Sequence, residues 1–236
     1  MRRLRGLEPG ARVLELGAGD GRFVERMRRA GLEARGFEPS SPARGAAARR
    51  GVALAEEDPL AGPRPEPRED AIVLWHVLEH LPDPARTLAR ARAALAPSGR
   101  LLVAVPNLAS LQAGIGGDRW FQQDVPRHRT HFTPPGLRAL LARCGFGSPR
   151  VSYLDLEQNP LGMWQTILNR LTGDRDLAFR LLKRDISLRS PRAKLDLALT
   201  LALALPLAVV APLLELGAGL ARRGGSIVAL APPARS

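Results

Sequence analysis

The feature that most constrains this chain is a short apolar run that leads into closely spaced glycines near the amino terminus. Residues 13–21 read VLELGAGDG, and a pattern typical of a helix follows over residues 22–30. A continuous apolar run is typical of a buried parallel strand, and glycines allow the backbone to turn sharply and to approach a ligand. The free amides at the start of the following helix suit a carboxylate or a phosphate. We therefore predict that a charged cofactor binds at this turn.

The spacing of the glycines narrows the choice of cofactor. A dinucleotide-binding turn has glycines at its first, third and sixth positions. Counting from Gly17, the sixth position is Arg22, which disfavours a nicotinamide-dependent oxidoreductase. Residues 15–21, ELGAGDG, instead resemble the first motif of class I S-adenosylmethionine-dependent methyltransferases. The resemblance implies that S-adenosylmethionine is held here by Glu15, Gly17, Ala18, Gly19 and Gly21.

A second carboxylate follows about one strand and one helix later. Residues 34–40 read ARGFEPS, a short predicted strand that ends at Glu38. In doubly wound α/β folds, an acidic residue at the end of the second strand accepts hydrogen bonds from the ribose hydroxyls of the cofactor. We therefore predict Glu38 as the ribose ligand, with Pro39 beside it in the cofactor site.

Two further segments carry the resemblance. Residues 52–55 form a predicted third strand, and Asp58 and Pro59 follow it, where the family contacts the adenine amine. A predicted fourth strand at residues 70–75 runs into HVLEHLPDP, which closely resembles the corresponding segment of the ubiquinone-biosynthesis-like methyltransferases. In that branch the end of this strand lines the site around the methyl group. The resemblance thus assigns His76 to the cofactor site.

The remaining pattern predicts the fold. An amphipathic helix at residues 84–96 and a PSG turn lead to a fifth strand at residues 100–105, and a last strand is predicted at residues 226–231. Strands that alternate with helices indicate a mostly parallel sheet. The resemblance implies a doubly wound, seven-stranded, Rossmann-like α/β methyltransferase sheet, in a single domain that covers residues 1–236.

Two motifs downstream of the fifth strand point to the acceptor side. Residues 118–134 resemble the RH..HF signature, and residues 157–165, EQNPLGMWQ, resemble a branch of membrane-associated or cell-envelope methyltransferases. The resemblance implies an acceptor-side insertion at residues 107–133. Methyl transfer to a hydroxyl group needs a base, for which we predict His128 first and His131 second. A structural role for either histidine, as an anchor of the insertion, stays open.

Composition limits the other partners. The formal net charge is +12, yet only 4% of the residues are aromatic, and the arginines are spread along the chain. A nucleic-acid groove gathers basic and aromatic residues together, so we expect no nucleic-acid partner. The single cysteine, Cys144, excludes an internal disulfide and a cysteine-cluster metal site, and we predict no metal. Since no charged-then-apolar leader precedes the first strand, we expect a cytoplasmic location.

An apolar segment dominates the carboxy-terminal third. Residues 197–214 carry no charge and reach the length of a transmembrane candidate. Pro206 and Pro212 interrupt a helix, and a span would separate the last strand from its sheet. We therefore predict a hydrophobic helical hairpin within an insertion at residues 186–224, broken near Pro206, that associates peripherally or monotopically with the inner leaflet of the membrane. A hairpin that packs on its own domain or at a dimer interface stays open. Basic residues flank the segment: Arg180, Lys183, Arg184, Arg189, Arg192, Lys194, Arg222 and Arg223.

Together these features predict a cytoplasmic, membrane-associated methyltransferase that acts on an oxygen of a small-molecule or lipid-linked acceptor, such as an isoprenoid or a cell-envelope saccharide. A nitrogen of such an acceptor is the second choice. The alternative is a non-catalytic membrane adaptor that keeps the methyltransferase fold. The intact glycine motif and the clustered histidines favour the enzyme. The acceptor and the oligomeric state stay open.

Overall fold

A computed structural model describes most of the chain. The described residues are Leu4, 6–62, 68–182 and 191–234. The chain divides into two compact units, and the first contains Met1–Val105, Pro135–Val151 and Ala229–Ser236, while the second contains Pro106–Pro134 and Ser152–Val228. Both predicted insertions, 107–133 and 186–224, fall within the second unit, and residues 186–190 lie outside the described residues. The single domain stays a prediction.

The described strands form one six-stranded sheet. They are β1 (Arg12–Leu16), β2 (Glu33–Phe37), β3 (Glu69–Trp75), β4 (Leu95–Pro106), β5 (Arg150–Ser152) and β6 (Ser226–Ala231). The strand order is β2-β1-β3-β4-β6-β5. β1 pairs in parallel with both β2 and β3, and β3 pairs in parallel with β4. Central strands of this kind are covered on both faces, which explains why β1 and β3 are almost continuously apolar and buried.

Eight α-helices connect and cover these strands among the described residues. They are α1 (Arg22–Arg29), α2 (Ser41–Ala48), α3 (Pro84–Ala94), α4 (Leu111–Gly116), α5 (Pro134–Arg143), α6 (Asn159–Leu171), α7 (Leu177–Leu182) and α8 (Pro191–Leu220). Side-chain caps fix where several of them begin. The Asp83 carboxylate accepts a hydrogen bond from the Arg86 amide at 2.9 Å, and the Ser110 hydroxyl accepts one from the Ala113 amide at 3.0 Å. These are N-terminal caps that the sequence encodes locally.

The number of strands differs from the prediction. The segment at residues 52–55 is not a strand and contributes a single bridge, between Ala55 and Phe37. It lies beside β2, whose residues alternate between buried and exposed, so this side of the sheet offers little apolar surface to extend. The chain then turns away, because the Asp58 carboxylate accepts a hydrogen bond from the Leu60 amide at 2.9 Å. The sheet therefore has six described strands and not seven.

One predicted strand is longer than expected. β4 begins at Leu95 and includes residues 97–99, which were expected to form a turn. The pairing of β4 with β3 shifts its register here, since Glu69 faces Leu95 but Ala71 faces Arg100. The irregularity accommodates the Pro-Ser-Gly sequence without ending the strand.

The predicted hairpin is wrong, because the apolar segment forms the single helix α8, with Pro206 and Pro212 inside it. Each proline removes one helical hydrogen bond, but the leucines and alanines around them have high helix propensity. Within Lys194–Leu220, an 18-residue stretch has a mean hydropathy of 2.4, and by length and composition alone this helix could cross a membrane. At 1.5 Å per residue, the 30 residues of α8 extend for about 45 Å.

Candidate functional site

The predicted cofactor residues gather at one edge of the sheet, in the first unit. β1, β2 and β3 are parallel, and Leu16 at the end of β1 pairs with Phe37 on one side and Leu74 on the other. The three strands therefore end at the same edge, and Gly17, Glu38 and His76 follow them directly. Ligands of open α/β sheets bind at this carboxyl edge.

The glycines make the turn possible for different reasons. Gly17, Gly19 and Gly21 all have positive φ, at 69°, 54° and 74°. A Cβ on Gly17 would lie 2.4 Å from the Val77 side chain, so this glycine is required by packing as well as by conformation. A Cβ on Gly19 would meet nothing within 4 Å, which leaves open space beside the backbone there. The turn is thus closed by packing beneath Gly17 and accessible at Gly19.

Glu38 holds the turn and keeps hydrogen-bonding capacity. Its side chain is 8% exposed, and its two oxygens accept hydrogen bonds from the Gly19 amide at 2.8 Å and the Ser40 amide at 2.9 Å. Each carboxylate oxygen can accept a second hydrogen bond, as recognition of two adjacent hydroxyls requires. The backbone carbonyl of the exposed residue Pro39 accepts a hydrogen bond from Arg44 at 2.8 Å, which fixes the loop after β2. The sequence did not single out Ser40 or Arg44 for these roles.

Glu15 is the unusual charged group of the site. It is 5% exposed, and its Oε2 atom has no hydrogen-bond partner among the described residues. Burial, followed by repulsion from Asp20 and Glu38, raises the pKa of the Glu15 carboxyl from 4.5 to about 8. A cluster of three carboxyl groups, one of them buried with an oxygen that has no hydrogen-bond partner, favours a cationic ligand. S-adenosylmethionine, which carries a sulfonium and an ammonium group, fits that requirement.

The remaining predicted cofactor residues have local contacts of their own. Asp58 caps the turn to Leu60, and Pro59 is half-buried beside it, so the adenine contact stays a prediction. His76 has a φ of 53°, and its Nδ1 atom lies 3.3 Å from Oε1 of Glu79. Glu79 is itself buried. It belongs to the HVLEHLPDP motif, but no role was predicted for it from the sequence.

The two candidate bases lie in the second unit, on the segment before α5. The Nδ1 atom of His128 lies 2.7 Å from the Gln122 carbonyl oxygen, and the Nε2 atom of His131 lies 2.9 Å from the Gln123 carbonyl oxygen. A carbonyl oxygen only accepts hydrogen bonds, so each of these nitrogens carries a proton. Both histidines therefore anchor the backbone at residues 122–123.

This tautomer also defines what His128 can do. With the proton on Nδ1, its Nε2 atom is the one that carries a lone pair whenever the ring is neutral. Oδ2 of Asp124 lies 3.9 Å from Nε2 and is placed to stabilise a positive charge on the ring. The side chain is 7% exposed, so it is held in one orientation. The hydrogen bond to Gln122 gives His128 an anchoring role, and its role as a base stays a prediction.

Comparisons with known proteins identify the family of the chain. Residues 1–147, more than half of the chain, match the family model described as a methyltransferase domain. Over 145 residues, the chain is 32% identical to a ubiquinone biosynthesis O-methyltransferase from Aeromonas salmonicida, in an alignment that covers 54% of this chain and 59% of that protein. Over 185 residues it is 28% identical to one from Cupriavidus pinatubonensis, with 72% and 73% covered. The chain thus spans less than two thirds of the Aeromonas relative.

Solved structures show the same fold. A methyltransferase from Archaeoglobus fulgidus that depends on S-adenosylmethionine gives a TM-score of 0.59 at 18% identity, over 98% of this chain and 89% of that one. A phosphoethanolamine N-methyltransferase from Haemonchus contortus, solved with S-adenosylmethionine, gives 0.61 at 16% identity, over 99% and 51%. With the family model, the Rossmann-like fold and the carboxyl-edge site, the chain belongs to the class I S-adenosylmethionine-dependent methyltransferases, and S-adenosylmethionine is its cofactor.

Proposed function

We propose that this protein O-methylates a lipid-linked, isoprenoid or cell-envelope saccharide acceptor at the cytoplasmic face of the membrane. S-adenosylmethionine supplies a methyl group on a sulfonium, which is already a good leaving group. The protein then has to orient the acceptor hydroxyl and take its proton. We assign that proton to Nε2 of His128, with Asp124 stabilising the imidazolium that forms.

The orientation of the His128 ring carries this proposal. A ring whose Nδ1–H is bound to a carbonyl oxygen presents a basic Nε2, which is the arrangement that a general base needs. A hydroxyl acceptor requires such a base, and the relatives named above are described as O-methyltransferases. The exposed apolar surface of α8 supports an acceptor that resides at a membrane.

The acceptor can be found by mass spectrometry. We expect lipid or glycan extracts from a deletion strain to contain one species that is lighter by the mass of one CH₂ group, and we expect reintroduction of the wild-type gene to restore the methylated form. Restoration by a variant that does not bind the cofactor would instead support a non-catalytic adaptor.

Glu38→Ala tests the cofactor site itself. Removal of a carboxylate that binds two hydroxyls should weaken S-adenosylmethionine binding by about 1.5 to 3 kcal/mol, the range for hydrogen bonds to a charged group. Isothermal titration calorimetry with the purified protein measures this loss. Glu56→Ala is the matched control, because Glu56 has the same charge, is exposed and pairs with Arg44 at 2.9 Å. Equal effects of the two substitutions would remove Glu38 from the ribose site.

A further inference from the structure

The polarity of α8 is inverted relative to a helix of a soluble protein. The residues that it buries are polar or small, and they lie on one side of the helix. They are Asp196, Thr200, Ala211, Glu215, Ala218 and Gly219. A helix that packs on a soluble core buries its large apolar residues and exposes its polar ones. α8 does the reverse.

Large apolar side chains occupy the opposite face. Leu205 is 78% exposed, and the others that are more than half exposed follow the same face at helical spacing. They are Leu195, Leu201, Val209, Leu213 and Leu220. Small and polar residues at helix contacts, with apolar residues turned outward, are typical of helices surrounded by lipid. The outward face of α8, defined by these six residues, is therefore suited to a hydrocarbon environment.

Hydrogen bonds attach α8 to the rest of the second unit near its start, at its middle and near its end. Near its start, the Asp196 carboxylate accepts hydrogen bonds from the Gly173 and Asp174 amides at 2.9 and 3.0 Å. Midway, the Trp164 indole donates to the Ala204 carbonyl oxygen at 2.9 Å. These contacts show that the first half of α8 packs against other elements of the second unit.

Near its end, Glu215 fixes the helix again. Its carboxylate accepts hydrogen bonds from the Gly225 amide at 3.2 Å and from the buried side chain of Gln112. The Gln112 amide group also donates to the Asn159 carbonyl oxygen at 2.8 Å, at the start of α6. Because the start of α6 lies near the end of α8, and Trp164 further along α6 contacts the middle, the two helices are antiparallel.

Charged groups lie at both ends of this helix pair. Near the start of α8, the exposed Asp118 pairs with Arg175 at 3.2 Å, and Arg170 at the end of α6 is exposed. At the other end, Arg222 and Arg223 are exposed. The predicted basic residues Lys183, Arg184 and Arg189 lie outside the described residues.

We propose that α8 lies flat in one leaflet of an anionic membrane, with its outward face in the hydrocarbon and the basic side chains Lys194, Arg222 and Arg223 at the headgroups. The inference rests on the proposed function only in that it brings the enzyme to a lipid-linked acceptor. An in-plane helix buries its apolar face by several ångströms and gains affinity from anionic lipid. Both ends of α8 then stay on the same side of the membrane, which its attachments to the second unit require.

The first test is vesicle binding by the full-length protein. We expect flotation with vesicles of phosphatidylglycerol and phosphatidylcholine, and weaker flotation with phosphatidylcholine alone. The double variant Leu205→Asp/Leu213→Asp should lower the partition coefficient by roughly tenfold or more, because it places charges in the hydrocarbon. Leu108→Asp is the matched control, since Leu108 is 47% exposed and lies off α8. It should bind vesicles as the wild-type protein does.

The second test measures depth. In a Cys144→Ser background, single cysteines at Leu201, Val209 and Leu220 carry an environment-sensitive fluorophore, and lipid-borne quenchers report the depth of each. An in-plane helix predicts similar shallow depths, and a graded series from one surface to the other would show a span and overturn the proposal. Two other results would overturn the proposal. One is a dimer that forms without lipid and that the double variant Leu205→Asp/Leu213→Asp dissociates. The other is a monomeric protein that does not bind vesicles. Calorimetric binding of S-adenosylmethionine to the same variants separates these outcomes from a failure of the methyltransferase function.

Discussion

Replacement of His128 by asparagine is expected to lower the turnover of methyl transfer by a factor of about 10² to 10⁴, with little change in the affinity for S-adenosylmethionine. Asparagine keeps an N–H group near the position of Nδ1, so the hydrogen bond to the Gln122 carbonyl oxygen is retained. The substitution removes Nε2, which is the proposed proton acceptor. Product formation in extracts of the complemented deletion strain, or with the acceptor once it is identified, measures the loss.

Two comparisons separate catalysis from anchoring. His131→Gln keeps a donor to the Gln123 carbonyl oxygen and should have the smaller effect on turnover. The thermal midpoint of His128→Asn should stay within a few degrees of wild type, since about 1 kcal/mol corresponds to only a few degrees in a chain of this size. If the variant loses stability and cofactor binding in proportion to its turnover, His128 is an anchor and the assignment as base is wrong.

The cofactor edge could be predicted because its signals are local. A strand, a turn with three glycines and a helix start are each encoded within a few residues, and parallel strands bring their ends together without further information. The sequence alone does not reveal which tertiary contact requires each of these residues. Gly17 is required by the Val77 side chain, which lies 60 residues further along the chain. Such pairs depend on tertiary packing and cannot be derived from spacing.

The errors have physical causes as well. The segment at residues 52–55 has the composition of a strand, but it meets the outer side of β2, where only the Ala55 bridge forms. The prediction of a hairpin was wrong because it assumed that the prolines end a helix. In the structure, α8 continues through both Pro206 and Pro212. Helix propensity and burial of the polar face together outweigh two lost hydrogen bonds. Asp196 and Glu215 mark the buried polar face of α8 in the sequence, because they occur on one side of an otherwise apolar helix.

Substitution of Glu15 by glutamine is expected to stabilise the free protein at pH 8 and to weaken its binding of S-adenosylmethionine. The pKa of Glu15 is raised from 4.5 to about 8, chiefly by burial. Below pH 4.5 the carboxyl is neutral in both the folded and the unfolded chain, so it costs nothing. As the pH rises from 4.5 to about 8 the unfolded chain ionises first, and folding stability is progressively lost. At pH 8 the loss is roughly 4 kcal/mol, which Glu15→Gln removes.

The cofactor reverses this balance, because its positive charges favour the ionised carboxylate. Wild-type affinity should therefore rise as the pH increases from 6 to 8, by at most about tenfold per pH unit, with release of a proton on binding. In Glu15→Gln, the part of this pH dependence that arises from Glu15 should disappear. Thermal unfolding of the free proteins at pH 5 and pH 8, and calorimetry in two buffers of different ionisation enthalpy, measure the two effects. Glu33→Gln, at an exposed carboxylate, is the control and should change neither. If the stability difference between Glu15→Gln and wild type is the same at pH 5 and pH 8, Glu15 does not titrate in this range. The negative charge that we assign to the cofactor site would then have to come from Asp20 and Glu38 alone.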